Sequence, residues 1–400
     1  MGPSMAANIN PQGPASVVGS AVPLAFLIAA IGVALVSYGF IRLTQAFNHA
    51  GSVYGLVGKT LGPRSGVIAG WGLLGTYTFY SVVSTMATGV FGTALLEQLG
   101  IVAGAASGPI PFLIGGLGLF GVVALAVTSV KRGTGLLLVI EGATVALILL
   151  TTITVLVKLL NGTAPGGQTF TLSVFRIPEG LDTSSIFLGV VFGFLSFAGF
   201  EAAATMGEEA QTPRRDIPKA TLGVVIFGGI YFTFITAVQV MGFGANEEGM
   251  KAFVGSSSLL GDLGSLYIGP WVGILITLGV SISAMGCLLA CVVGAGVIGT
   301  LILLVAYGLA TIGAIRFLFF SGKKRVPQWE IVIPLLGLAM LVYTLFRNVW
   351  PLPTSGAAQA YNLITIAWLL LAVIGVLAAP RIATRMGERI NADENLVETR

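Results

Sequence analysis

An acidic residue close to a glycine, inside a strongly apolar stretch, is the feature of this sequence with the most chemical content. Glu201 follows Gly199 within residues 194–220, which then enter a charged loop framed by Pro213 and Pro218. A carboxylate inside a membrane span costs about 2.5–3.5 kcal/mol on insertion scales, so it is rarely retained without a role. A glycine interruption beside it frees backbone groups that need partners in protein, water or ligand. The pattern predicts a discontinuous helix that binds a ligand at mid-membrane.

The composition of the chain excludes a soluble fold. Hydrophobic residues make up 55% of the 400 residues, charged residues make up 9%, and the mean hydropathy is +0.95. Soluble domains carry about 25% charged residues, far more than this chain. The 56 glycines suit membrane helices that approach one another closely. One histidine and two cysteines do not make a metal site, so we expect no metal and no cofactor.

Apolar segments long enough to cross a bilayer follow one another along the chain. They comprise residues 21–47, 65–97, 109–129, 134–160, 184–207, 217–243, 265–295, 297–320, 328–348 and 359–380. A glycine- and proline-rich stretch, 1–18, precedes them and is too short and too polar to span by itself. We therefore expect one membrane domain over residues 1–380 and a polar, cytoplasmic tail over residues 381–400.

The basic residues orient these spans, because lysine and arginine favour the cytoplasmic side. The rule places Arg214 and Arg215 on the cytoplasmic side, and it holds as far as the span 265–295. The next span, 297–320, then ends at a basic cluster that also belongs inside, 323–325. Two successive spans cannot both end on the same side, so an odd number of crossings is missing near Gly296. The alternative is an unusual long helical hairpin.

Three motifs resemble the amino acid–polyamine–organocation (APC) superfamily of permeases. The strongest resembles that family's sixth helix and following loop, and it consists of Phe197-Ala198-Gly199-Phe200-Glu201, Glu208-Glu209 and residues 213–220. The others are residues 49–54 with 61–63 and 70–71, and Gly299-Thr300-Leu301 with Tyr307. The resemblance implies an all-α integral membrane fold of two inverted five-helix repeats, with discontinuous first and sixth helices and about 10–11 transmembrane segments present. Against that pattern, the first half of the first helix and the region around the ninth helix are lacking.

The same resemblance implies a substrate site where the breaks of the first and sixth helices meet at mid-membrane. Amides at a half-helix N-terminus, around Ser4, suit a substrate carboxylate. Carbonyls near Phe197 suit an ammonium group. Together the amides and the carbonyls would bind both main-chain groups of an α-amino acid, whereas a polyamine would bind to the carbonyls alone. The predicted substrate-binding residues are Gly2, Ser4, Met5, Ala6, Leu195, Ser196, Phe197, Ala198, Gly199 and Phe200.

Two embedded carboxylates, Glu201 and Glu141, are candidates for proton coupling. Glu201 is either a buried acid that binds free backbone at the break, or a group that desolvation tunes to titrate near neutral pH. Glu141 is either a second proton site or a partner for a neighbouring helix, and we favour the partner role. Tyr77 and Tyr80 share a helix face and are interpreted as packing residues rather than recognition residues. Sodium coupling stays open, because hydroxyl and carbonyl ligands leave no distinctive mark in a sequence.

The resemblance implies secondary active transport of amino acids or related amines across the cell membrane by alternating access, with proton coupling or exchange. The implied partners are a small-molecule substrate, a coupling proton and the lipid bilayer, with no nucleic acid, and a bacterial inner membrane is the expected location. An enzyme is not expected, because the single histidine, His49, is placed in a loop. The alternatives are a non-transporting, truncated membrane protein and, less favoured, a membrane-embedded enzyme.

Overall fold

The computed structural model describes residues 2–47, 53–102, 108–127, 131–201, 212–286, 293–322, 325–350 and 356–396. Over these residues the regular structure is helical, with α-helices, short 3-10 turns and no strand. The helices are α1 (Pro3–Ile9), α2 (Gln12–Val18), α3 (Val22–Ala46), α4 (Val53–Leu61), α5 (Pro63–Gln98), α6 (Ile110–Val127), α7 (Lys131–Leu160), α8 (Ile186–Phe197), α9 (Pro213–Phe243), α10 (Glu247–Gly255), α11 (Leu259–Tyr267), α12 (Pro270–Gly286), α13 (Val293–Phe319), α14 (Val332–Val349), α15 (Gly356–Ala378) and α16 (Pro380–Leu396).

Every predicted span coincides with an apolar helix. Among the described residues, 7 helical stretches are long and apolar enough to cross a membrane. The remaining three predicted spans correspond to shorter apolar helices, Ile110–Val122, Thr183–Phe197 and Pro270–Gly286. The prediction of an all-α membrane fold is therefore confirmed. The inverted repeat and the discontinuity of the first helix stay predictions.

The chain divides into two compact units. Unit 1 comprises Met1–Leu27, Thr78–Ser196 and Ile230–Gly296, and unit 2 comprises Ile28–Tyr77, Phe197–Gly229 and Val297–Arg400. The single membrane domain expected over residues 1–380 stays a prediction. Most of the expected tail, 381–400, belongs to the amphipathic helix α16.

The N-terminal stretch that was predicted not to span forms α1 and α2, inside unit 1. Helix α1 buries most of its side chains, whereas α2 buries only Pro14, Ala15 and Val18. Asn10, which follows α1, donates from Nδ2 to Ser196 Oγ on α8 at 2.8 Å. Further along, a Cβ added at Gly13 would overlap the ring of Phe192. Because the α8 numbers fall as the numbers of this stretch rise, α2 runs antiparallel to α8, and glycine is what permits the close approach.

The helices α7, α11 and α12 form a closely packed part of unit 1. A Cβ added at Gly279 on α12 would overlap the hydroxyl of Thr144 on α7. The Nζ of Lys158, in the last turn of α7, donates to the carbonyl oxygen of Tyr267 at 2.6 Å. Tyr267 ends α11, so this lysine satisfies a terminal carbonyl and complements the negative end of the helix dipole.

Unit 2 is built around α3 and α13. The two helices approach closely at Gly39, where an added Cβ would lie 3.2 Å from the Cβ of Ala314. Arg42 on α3 forms an ion pair with Glu330 at 2.6 Å, just before α14, and the hydroxyl of Tyr38 donates to the same carboxylate. This partly buried cluster ties α3 to the beginning of α14.

The region of the predicted missing crossing is only partly visible. Helix α12 ends at Gly286 and α13 begins at Val293. Residues 287–292, with Cys287 and Cys291, lie outside the described residues, as does the pair 323–324 of the basic cluster. The missing crossing near Gly296 therefore stays a prediction.

Candidate functional site

The break predicted at Gly199 is present. Helix α8 ends at Phe197, Ala198 and Gly199 form a turn, and Phe200 and Glu201 begin a 3-10 turn. Gly199 has φ +107°, in the region that glycine adopts without a steric penalty and L side chains rarely adopt. The helical hydrogen-bonding pattern is therefore lost at the predicted position. Residues 202–211, including the motif pair 208–209, lie outside the described residues.

Glu201 accepts hydrogen bonds that stabilise this break within unit 2. Its Oε2 accepts a hydrogen bond from the backbone N–H of Gly199 at 3.0 Å and another from the hydroxyl of Tyr307 on α13 at 2.6 Å. Tyr77 on α5 also interacts electrostatically with this carboxylate. The residue is only 4% exposed. A buried carboxylate with two donors is the arrangement that makes burial of a charge tolerable.

Phe200 packs in an aromatic cluster of unit 2. Its ring centroid lies 5.5 Å from that of Phe40 in an edge-to-face arrangement and 5.2 Å from that of Tyr307. Phe200 is 1% exposed. The predicted binding residue therefore serves as core here, and it fixes the ring whose hydroxyl holds Glu201.

Glu141 lies against the first turn of α1 within unit 1. Its Oε1 accepts hydrogen bonds from the backbone N–H and from the hydroxyl of Ser4, each at 2.9 Å, and the same hydroxyl lies 2.9 Å from Oε2. Ser4 is completely buried, whereas Glu141 is half-buried. The amide that the sequence assigned to a substrate carboxylate thus binds a carboxylate of the protein itself.

Other polar groups of α1 tie it to further helices of unit 1. Asn8 Oδ1 accepts from the backbone N–H of Leu260 at 2.9 Å, so Asn8 caps the N-terminus of α11. Gln239 on α9 donates from Nε2 to the carbonyl of Ala7 at 2.8 Å. These contacts, with the Asn10–Ser196 bond, fix the position of α1 against α8, α9 and α11.

The predicted site residues divide between the two units. Unit 1 holds Gly2, Ser4, Met5, Ala6, Leu195, Ser196 and Glu141, and unit 2 holds Phe197, Ala198, Gly199, Phe200 and Glu201. Within the units, the structure brings Ser4 to Glu141 and Gly199 to Glu201. Sequence reasoning missed the tyrosine partners of Glu201. The available signal was a pair of hydroxyl-bearing rings in apolar spans that also contain one buried acid needing donors.

In the part of the chain that the structure describes, no group of three or more histidine, cysteine, aspartate or glutamate residues could hold a metal ion. The chemistry visible at the candidate site is that of carboxylates, hydroxyls and backbone amides. Such groups can bind ammonium or carboxylate groups and can exchange protons.

These features define an all-α, multi-pass integral membrane protein with a helix broken beside a buried carboxylate. A family model described as "Amino acid permease" matches residues 7–297. The chain belongs to the amino acid permease family.

Characterised relatives point to the same family. The chain is 25% identical over 217 residues to the low-affinity putrescine importer PlaP of Escherichia coli (strain K12), covering 54% of this chain and 45% of that protein. It is 26% identical over 242 residues to the branched-chain amino acid permease BcaP of Lactococcus lactis subsp. cremoris (strain MG1363), covering 56% and 49%. It is 30% identical over 212 residues to the vacuolar cationic amino acid transporter 2 of Arabidopsis thaliana, covering 50% and 32%. The alignments span about half the length of the two bacterial relatives.

Proposed function

We propose that the protein transports an amino acid or a related amine across the cell membrane by alternating access, coupled to protons or to exchange. The observation that carries the proposal is the interruption of α8 at Gly199, with the Glu201 carboxylate bound to the freed amide. Broken helices persist in membranes where they line a polar cavity, which is how many transporters build their substrate sites. Family membership and relatives named for amino acids and putrescine support the same class of substrate.

The two embedded carboxylates have different roles in this proposal. Glu201 is almost fully buried and is bound by a backbone amide and a tyrosine hydroxyl, which favours a fixed, structural role at the break. Glu141 is half-buried and is bound to Ser4 alone among the hydrogen bonds found in the described residues. Glu141 occupies the Ser4 amide that is assigned to a substrate carboxylate, so Glu141 is the proposed proton site.

The contact between Glu141 and Ser4 supplies a coupling mechanism. A substrate carboxylate directed to the Ser4 amide competes with the Glu141 carboxylate for the same donor. Protonation of Glu141 removes its charge and weakens its hold on the amide, because charge-assisted hydrogen bonds are roughly twice as strong as neutral ones. Proton binding and substrate binding would then favour each other, which is the thermodynamic requirement for symport.

Uptake into proteoliposomes tests the proposal. The full chain is reconstituted, and entry of radiolabelled amino acids and of putrescine is measured with and without an inwardly directed pH gradient. We expect saturable uptake of at least one substrate class, and its abolition in Gly199→Ala, where an L side chain is strained at φ +107°. Gly223→Ala on α9 is the matched control, because a Cβ there meets nothing within 4 Å. Absence of uptake of every amino acid and amine by well-folded protein would refute the proposal.

A further inference from the structure

An apolar groove lies in unit 2, between the beginning of α5, the end of α15 and the amphipathic helix α16. We call it the α16 groove. It has a volume of about 350 Å³ and its lining is almost entirely apolar. Its walls include Val67, Trp71, Leu371, Val376, Ile382 and Met386.

The groove lies at one end of two membrane spans. Helix α5 begins at Pro63 and α15 ends at Ala378, so both reach the bilayer surface near α16. The rings of Trp71 and Trp368 stack at 5.0 Å, and each indole N–H donates to the other residue's backbone carbonyl, at 3.0 and 3.1 Å. Trp368 lies near the middle of α15 and Trp71 lies about two turns into α5, so this pair is embedded well away from the helix ends beside α16. The groove therefore extends from those helix ends towards the depth of an acyl chain.

Basic side chains border the outer end of the α16 groove. Arg381 and Arg385 are exposed and are one helical turn apart on α16, beside the turn that presents Ile382 and Met386 to the groove. Arg64 is also exposed, and its Nε donates to Thr384 Oγ1 at 3.0 Å.

The positive charge of this border is not neutralised within the described part of the chain. None of the three arginines forms an ion pair with a described carboxylate. Glu388 is the one acidic residue on the described side chains of α16, so the border keeps a net positive charge.

We propose that the α16 groove binds an anionic phospholipid, with an acyl chain along the apolar walls and the phosphate at Arg64, Arg381 and Arg385. Charge complementarity selects this occupant, because basic groups beside an amphipathic helix attract anionic headgroups, and guanidinium groups bind phosphate bidentately. The positive-inside expectation places these arginines on the cytoplasmic side, where anionic lipids are enriched in many membranes. The proposal is independent of the transported substrate.

Lipid-dependent stability of the purified full chain tests the proposal. Thermal unfolding in a neutral detergent is followed while phosphatidylglycerol, phosphatidylcholine or glycerol 3-phosphate is added. The first variant, R64Q/R381Q/R385Q, removes the charge. The second, Gly375→Leu, fills the groove, and it is compatible with folding because a Cβ at Gly375 meets nothing within 4 Å. Arg176→Gln, an exposed arginine of unit 1, is the matched control.

We expect phosphatidylglycerol to stabilise the parent and the Arg176→Gln control, with little effect of the other two additives. The apparent affinity for phosphatidylglycerol should fall about tenfold or more in the charge variant, since each basic residue contributes to attraction of anionic lipid. Gly375→Leu should lose the effect at unchanged charge. Equal stabilisation by phosphatidylcholine, or by glycerol 3-phosphate alone, overturns the proposal. So does a phosphatidylglycerol effect that persists in both groove variants, or a groove-filling variant that changes only the oligomeric mass and so points to a second copy of the chain.

Discussion

Ser4 donates to Glu141 through both its backbone amide and its hydroxyl, at 2.9 Å in each case. The bond joins the first turn of α1 to the middle of α7, residues that are 137 positions apart in the chain. An anionic group therefore already satisfies the end of α1 that would attract one. Any ligand carboxylate must displace Glu141 or bind when Glu141 is neutral.

Replacing Glu141 by glutamine should remove the pH dependence of uptake while leaving substrate binding in place. Glutamine keeps an acceptor oxygen for Ser4 but cannot gain or lose a proton. The measurement is the initial rate of proteoliposome uptake as a function of external pH. Equilibrium exchange of labelled substrate across the same vesicles is the control, because it shows that substrate binding is retained. A Glu141→Gln profile that still rises with acidity would assign the coupling proton to another group.

Replacing Tyr307 by phenylalanine should destabilise the protein by about 1.5–3 kcal/mol, the contribution typical of a hydrogen bond to a charged group. The buried Glu201 carboxylate would lose its 2.6 Å donor while the ring packing against Phe200 is retained. The measurement is thermal unfolding in detergent. Tyr361→Phe, at a half-buried tyrosine of α15, is the control and should be close to neutral. Equal effects of the two substitutions would show that the Tyr307 hydroxyl contributes nothing specific.

Replacing Asn8 by alanine should loosen the beginning of α11. Asn8 Oδ1 accepts from the amide of Leu260 and from the hydroxyl of Ser258, at 2.9 and 3.3 Å. Leaving these buried donors without a partner costs about 1–3 kcal/mol each. Hydrogen exchange should accelerate at the Leu260 amide, and the unfolding temperature should fall. The exposed Asn161→Ala serves as control, and unchanged protection at Leu260 in Asn8→Ala would contradict the capping role.

Asp262, outside the candidate membrane spans, should make stability depend on pH. Burial raises the pKa of its carboxyl, against a smaller lowering by the hydroxyl of Ser256, which donates to Oδ2 at 2.6 Å. An acid with a raised pKa in the folded state stabilises the protein below its ordinary pKa, and this contribution is lost as pH rises through the folded value. Asp262→Asn should therefore be more stable than the parent at pH about 7, with the difference shrinking towards pH about 4.

The measurement for Asp262 is the unfolding temperature across that pH range. The exposed Glu179→Gln should follow the parent at every pH. A stabilisation by Asp262→Asn that is the same at both ends of the range would mean that ionisation is not its cause.

The number of crossings can be tested by labelling single cysteines introduced at Ser321 and Gln211. The positive-inside rule predicts that both positions react from the same side of the membrane. Reaction from opposite sides would show that residues 265–320 form an ordinary hairpin and that no crossing is missing near Gly296.

The sequence predicted the membrane class and the break in α8 because both depend on local properties. Apolar segments of sufficient length define spans, and a glycine beside an embedded acid marks an interruption. Gly199 accordingly ends α8 where expected, with its positive φ.

The partners of the two carboxylates could not be predicted in the same way. Glu201 meets Tyr307 across 106 positions of sequence, and Ser4 meets Glu141 across 137. Which hydroxyl faces which acid depends on the rotation and offset of packed helices, and those depend on many small contacts rather than on spacing. Glu141 on α7 bonds to Ser4 on α1, and its role stays a prediction.

The stretch 1–18 shows that a polar segment too short to span can still be buried. Its asparagines and glutamine made it too polar to count as a span, yet α1 is almost completely buried. Asn8 and Asn10 direct their amides to other helices of unit 1, where they satisfy the donors and acceptors of those helices. Polarity here signals binding between helices rather than contact with water.

The backbone at Gly199 has a consequence for what the chain can accept at this position. A φ of +107° is unfavourable for every L-amino acid with a Cβ, whatever its size or polarity. D-amino acids, the mirror images of the natural residues, adopt this φ readily. A D-alanine placed at position 199 by chemical ligation should therefore preserve the turn that L-alanine disrupts, so the break in α8 selects for handedness at a single α-carbon.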